Sequence, residues 1–131
     1  MSNLSKATIS VEKYRTLIET DDHHFIVDEP LDLGGGDLGP NPGELLSAAL
    51  AACTTITIKM YAERKEWKLD EVKVEVDYKR DSETNTTKFT KKVEIIGDLK
   101  EEEIQRLYEI SARCPIHKTL ENPIEIESEL I

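Results

Sequence analysis

Asn41-Pro42-Gly43-Glu44-Leu45-Leu46-Ser47-Ala48-Ala49-Leu50-Ala51-Ala52-Cys53 is the stretch on which the fold turns. Asn is a strong helix N-cap and Pro suits the first helical position, so a helix begins here. It is expected to run from residue 42 to about residue 65, ending in the solvated Glu63-Arg64-Lys65-Glu66. Between residues 45 and 53 the only polar side chain is Ser47. A helix apolar almost all round is a buried one. Ala48, Ala49, Ala51 and Ala52 leave room for another backbone to approach closely.

Upstream lies Leu33-Gly34-Gly35-Gly36-Asp37-Leu38-Gly39-Pro40, a flexible lead-in that no regular element would tolerate. Before it, residues 7–18 and 24–28 read as short strands, with a hairpin turn at Asp21-Asp22. Downstream, Val72, Val74 and Val76 alternate with Lys73, Glu75 and Asp77, the period of a half-buried strand. Residues 81–87 read as a turn and residues 89–96 as the returning strand. Asp98 is expected to cap a helix over residues 100–113, with Ile104, Leu107, Tyr108, Ile110 and Ser111 as its inward stripe. Cys114-Pro115 breaks that helix, and Pro115 can open a second short one. Ile124, Ile126 and Ser128 alternate with glutamates and predict a final strand. Strands, buried helix, strand pair, helix and strand make an α+β pattern, with no βαβ alternation that would demand a parallel sheet.

The 131 residues are expected to form a single domain, 1–131. Aromatics are only 5% of the chain, so the core must be built from Leu, Ile, Val and Ala. A net charge of −10 argues against a nucleic-acid partner, which needs clustered Lys and Arg. The adjacent pair Lys91-Lys92 is too small to count. Charge, Pro and Gly interrupt the longest apolar segment, so no membrane span is expected. Residues 1–10 lack the basic start and apolar run of a signal peptide, and a cytoplasmic location is expected. In that compartment two cysteines are more often free or catalytic than structural.

Cys53 lies in the most apolar part of the central helix, where a free Cys can be simply a small core residue. Cys114 stands at a helix break, before a helix N-terminus, with Arg113 beside it and His117 three residues on. Exposed amides and nearby positive charge favour the reactive thiolate, although a buried connector thiol also fits that position. The cysteines are too far apart in sequence for a Cys-x-x-Cys motif or a zinc ribbon. A zinc site would have to recruit His117 and His23 or His24, without the paired spacing such sites show, so neither metal nor cofactor is expected. Steps of three or four residues put Leu46, Ala49, Thr57, Met60 and Arg64 on the stripe of Cys53. Glu44 falls half a turn out of phase and reads either as a site carboxylate or as a first-turn acid favoured by the helix dipole. The glycine run lacks the Gly-Lys-Ser/Thr ending of a phosphate loop. His23 and His24 are expected to face solvent, and Tyr61 and Trp67 to pack.

Gly39-Pro40-Asn41-Pro42-Gly43-Glu44-Leu45-Leu46, continuing through Ala51-Ala52-Cys53-Thr54, resembles the central-helix signature of the OsmC/Ohr family. Arg113-Cys114-Pro115-Ile116-His117-Lys118-Thr119-Leu120 resembles that family's second cysteine motif. Met60-Tyr61-Ala62-Glu63-Arg64-Lys65 and Trp67 also fit a bacterial OsmC-like branch, and the similarity spans about residues 25–131. The resemblance implies an intertwined homodimer in which two long central helices pack between curved antiparallel sheets. It further implies reduction of organic hydroperoxides, and less efficiently of hydrogen peroxide, with Cys53 peroxidatic and Cys114 resolving. The partners so implied are a second copy of the chain, a small hydroperoxide and an external dithiol reductant.

Peroxidases of the family use an Arg and a Glu to activate the thiol. Here Gly43 stands where they commonly carry that Glu, with Glu44 next in line. Arg15 is the only Arg before the helix, and Arg64 and Arg113 are local alternatives. Two other roles are therefore open: a non-catalytic dimer that binds a small apolar ligand, and a redox-responsive interaction protein. The apolar run at residues 45–53 is more than a monomer of this size can cover, which predicts an obligate homodimer. Light scattering at micromolar concentration is expected to give twice the chain mass; a stable folded monomer would refute the assembly.

Overall fold

The computed structural model describes residues 2–131, which form an α+β fold. Two compact units divide it, one reaching to Leu46 and the other starting at Ser47.

In the first unit, β1 (Lys6–Ile9), β2 (Thr16–Glu19) and β3 (His24–Val27) form an antiparallel sheet in the order β1-β2-β3. Residues 7–18, read from sequence as one strand, are thus two. The chain turns between them with Lys13 at a positive φ of 46° and the Arg15 amide donating to the Glu12 carbonyl at 3.1 Å. The expected hairpin at Asp21-Asp22 is present, closed by the Thr20 amide donating to the His23 carbonyl at 2.8 Å. His23 and His24 are exposed.

The glycine run does more than lead into the helix. A Cβ on Gly35 would lie 2.0 Å from the Glu29 carbonyl oxygen, and one on Gly39 would lie 2.0 Å from that of Ile26. Only glycine admits such close backbone contact. Asp28, 2% exposed, braces the corner by accepting from the amides of Glu29 at 2.8 Å and Leu38 at 3.3 Å. Asn41 then opens α1 (Pro42–Arg64). Its side-chain oxygen accepts from the Glu44 amide at 2.8 Å, and a Glu44 carboxylate oxygen accepts from the Asn41 amide at 3.0 Å. This reciprocal pair is a capping box.

In the second unit, β4 (Lys68–Asp81) and β5 (Thr86–Asp98) form a two-stranded antiparallel hairpin, longer at both ends than the valine alternation alone indicates. The register sets Val74 against Val93 and Val76 against Lys91, with an irregularity between Leu69 and Glu71. Val72, Val74 and Val76 are half-buried, while Lys73, Glu75 and Asp77 are exposed. α1 buries Leu50, Thr54, Ile58 and Ala62, one residue per turn. Ile58 and Ala62 join Leu107 as the innermost cluster, flanked by Trp67, Val93 and Ile95.

α2 (Glu101–Ile110) starts after Lys100, whose amide donates to the Glu103 carboxylate at 2.9 Å. Asp98, expected as the cap, is instead the last residue of β5. Leu107, Ile110 and Ser111 are buried as expected, but Tyr108 is 55% exposed, because it lies about 100° round the helix from Leu107. A 3-10 turn (Ser111–Arg113) leads to α3 (Pro115–Glu121). Residues 122–131 form no regular element, so the predicted final strand is absent. Alternation alone does not make a strand: its amides and carbonyls need a ladder partner, and none pairs with this segment among the described residues.

By length and hydropathy alone α1 could cross a membrane, which by itself is weak evidence of a span. The central helix of a domain meets the same criteria, and α1 uses Ile58 and Ala62 to build the protein's own core. Leu107 has no solvent exposure. Leu107→Ala should therefore cost about 2–5 kcal/mol of unfolding free energy, read as a lower urea midpoint at unchanged slope.

Candidate functional site

Local sequence chemistry places Cys114. The residue before a proline is driven to extended backbone, and Cys114 adopts φ −57° and ψ 131° ahead of Pro115. That turns its side chain back over the first turn of α3, where its sulfur accepts from the His117 amide at 3.4 Å. Cys114 is 0% exposed, so it is a buried thiol as well as a helix cap. Cys53 lies beside the buried line of α1 and is half-buried. Thr57, one turn further along, reaches it as the helical stripe predicts.

The fold brings the two thiols close enough for Cys114 to act on Cys53, and no disulfide joins them. Burial pushes the Cys53 thiol above the ordinary value, and the hydrogen bond and charge of Cys114 push it further the same way. The Ile116 amide and the Thr57 hydroxyl oppose the rise by stabilising the thiolate.

Lys91 is the residue that the sequence reading passed over. Its ammonium donates to the Ser111 carbonyl at 3.1 Å and to the Thr54 hydroxyl at 3.4 Å. Burial lowers its pKa, against the raising influence of Cys114, Cys53 and Glu121. The signal was available in the alternation Phe89, Lys91, Val93, Ile95, which puts Lys91 on the apolar face of β5. In the sequence the Lys-Lys pair weighs only as a nucleic-acid contact too small to count, whereas Lys91 is half-buried and only Lys92 is exposed.

His117 pairs through Nε2 with the Glu121 carboxylate at 3.4 Å, and its Nδ1 is buried without a hydrogen-bond partner. Leu50, Phe89, Leu120, Lys91, His117 and Glu121 line a cavity of about 350 Å³. Its lining mixes apolar side chains with Lys91, His117 and Glu121. The remaining sequence candidates lie elsewhere or are engaged. The Glu44 carboxylate caps α1, and Arg113 is exposed. Arg15 pairs with Glu12 at 3.9 Å, and the Arg64 guanidinium lies over the Tyr61 ring at 5.1 Å.

Residues 34–129 match the family model described as OsmC-like protein. The chain belongs to the OsmC family. Its fold is that of solved OsmC and Ohr structures. The OsmC-like protein of Mycoplasma pneumoniae superposes with a TM-score of 0.76 at 22% identity, over 92% of this chain and 87% of that one. The organic hydroperoxide resistance protein OsmC of Legionella pneumophila gives 0.69 at 23% identity, covering 92% and 90%. The organic hydroperoxide resistance protein OhrB of Bacillus subtilis gives 0.65 at 23%, covering 92% and 91%. No curated protein matches the sequence. These likenesses establish the α+β OsmC fold.

The thiol contact has a measurable consequence within this OsmC site. Both influences of Cys114 raise the Cys53 pKa, so their removal must lower it. In Cys114→Ala, the pH midpoint for alkylation of Cys53 by iodoacetamide, followed by peptide mass spectrometry, should shift to lower pH than in the wild type. An unchanged midpoint would mean that the two sulfurs do not interact.

Proposed function

We propose that this protein is a thiol-dependent peroxidase that reduces organic hydroperoxides, and hydrogen peroxide as a poorer substrate. The observation that carries it is the closeness of the Cys53 and Cys114 thiols, in an OsmC fold that also supplies a partly apolar cavity. Membership of a family with relatives described as organic hydroperoxide resistance proteins supports the same chemistry. We take residues 1–131 as one OsmC-like domain acting in the cytoplasm as an intertwined homodimer. Ile56 and Met60 on α1 are 52% and 66% exposed, an apolar face that a second copy would cover.

In the first step the Cys53 thiolate attacks one peroxide oxygen. The O–O bond breaks, an S–O bond forms, Cys53 becomes a sulfenic acid, and the alkoxide leaves and takes up a proton to give the alcohol. The Cys114 thiol then attacks the Cys53 sulfur, forming the disulfide and expelling water. An external dithiol reduces that disulfide by exchange and is itself oxidised, returning both thiols. Because Cys114 already lies close enough to act on Cys53, it is placed for the second step.

One observation favours a second reading. A thiol raised above its ordinary pKa is a poor nucleophile at neutral pH, and the same cavity could hold a small apolar ligand without chemistry. The disulfide could equally serve as a redox switch for an interaction. Peroxide consumption separates these roles. Wild type with dithiothreitol should consume cumene hydroperoxide, and Cys53→Ser should lose at least about a hundredfold in rate, since no other residue forms the sulfenic acid. In Cys114→Ser after peroxide treatment, dimedone should label Cys53. Labelling of Cys114 in active Cys53→Ser would reverse the roles of the thiols, and no consumption or labelling at millimolar peroxide would end the peroxidase reading.

A further inference from the structure

A thiolate at Cys53 calls for a cation to hold it, and within the cysteine-bearing unit the Arg64 guanidinium lies over the Tyr61 ring while Arg113 is exposed. We propose that Lys91 supplies it, holding the Cys53 thiolate from the inward face of β5 as a positioning residue. This inference rests on the thiol reading of Cys53 given above.

Three features of the structure support Lys91. The first is placement. Lys91 stands opposite Val76 in the hairpin register, on the same face as Phe89, Val93 and Ile95, where an apolar residue would otherwise sit. The second is the company it keeps. Its ammonium bonds to Thr54, which directly follows Cys53, and to the carbonyl of Ser111, three residues before Cys114. It is thereby fixed between the two segments that carry the sulfurs. The third is the lack of a counterion. Both hydrogen-bond partners are neutral, and no carboxylate pairs with Lys91 among the described residues. A partly buried ammonium among neutral partners is costly unless a negative charge forms beside it. A cysteine thiolate is such a charge.

The other groups around it are compatible. From α1 Lys91 faces Cys53, and from the start of α3 it faces Cys114. From the first turn of α3 comes His117 and from its far end Glu121, which are paired with one another and line the same cavity. Glu121 acts on Lys91 from a side chain 67% exposed, where water screens it. The cysteines and Glu121 all favour the charged form of Lys91 against its burial. A purely mechanical strut tying Thr54 to Ser111 would use the same hydrogen bonds, so the test must read charge.

In a Cys114→Ala background, which leaves one thiol at the site, Cys53 alkylation is followed from pH 6 to 10 for Lys91, Lys91→Met and Lys91→Arg. Lys91→Met should raise the Cys53 midpoint by about one unit or more, a roughly tenfold slower alkylation near neutrality, and Lys91→Arg should restore most of it. An unchanged midpoint in folded Lys91→Met overturns the proposal. Should Lys91→Met not fold, the coupling is read from the other side. NMR titration of Lys91 should give a lower pKa when Cys53→Ala is added to the Cys114→Ala protein, because two coupled groups shift one another reciprocally. A Lys91 titration indifferent to Cys53 overturns it as well. Neither readout needs peroxide turnover. Loss of turnover with the charge coupling intact thus sinks only the peroxidase reading, and turnover without the coupling sinks only the role of Lys91.

Discussion

Packing of Ile58 and Ala62 against Leu107 is the contact on which the cysteine-bearing unit depends. It fixes the rotation of α1. Once Ile58 points inward, the residues four before and four after it must follow, and Leu50, Thr54, Ile58 and Ala62 become the buried line. Cys53 and Thr57 then fall on the neighbouring line and are half-buried. That rotation decides the character of the thiol: shielded enough to feel desolvation, yet open enough to be reached. The same contact seats α2, whose end runs through the 3-10 turn at Ser111–Arg113 to Cys114. A fault in the core would therefore be felt at both sulfurs.

The electrostatics of the site follow from burial. Burial works against both ions, raising Cys53 and lowering Lys91. Each group alone is driven towards its neutral form, and only a close pair of opposite charges can keep both ionised. The amides of Ile116 and His117, one reaching Cys53 and the other Cys114, add dipoles without adding desolvation. Proline at position 115 makes this possible, since it ends one helical segment and starts the next just where the sulfur must turn.

The glycine corner is a separate constraint, set by sterics. Gly35 and Gly39 let their backbones meet the carbonyls of Glu29 and Ile26, and Asp28 satisfies the amides left over. Asn41 and Glu44 then close the start of α1 with two hydrogen bonds. Glu44 illustrates how one carboxylate can match two patterns, a capping box and a displaced site acid. Its hydrogen bond to the Asn41 amide satisfies the first of these patterns.

Local rules written in the sequence were enough for the α+β class, the start of α1 at Pro42, the break at Cys114-Pro115, the two hairpins and the identity of the two cysteine motifs. Capping, proline geometry and hydrophobic period act over a few residues, so a string of letters records them. What depends on partners distant in sequence was decided by the tertiary structure alone. Ile124 and Ile126 alternate like a strand, yet nothing among the described residues pairs with them. Asp98 resembles a cap, yet the β5 ladder claims it. Lys91 looks like half of a surface pair until the hairpin register turns it inward to Thr54 and Ser111. The contact between Cys53 and Cys114 likewise exists only because a helix, a hairpin and a second helix share one core. Burial and charge proximity are properties of neighbours in space, and spacing along the chain does not contain them.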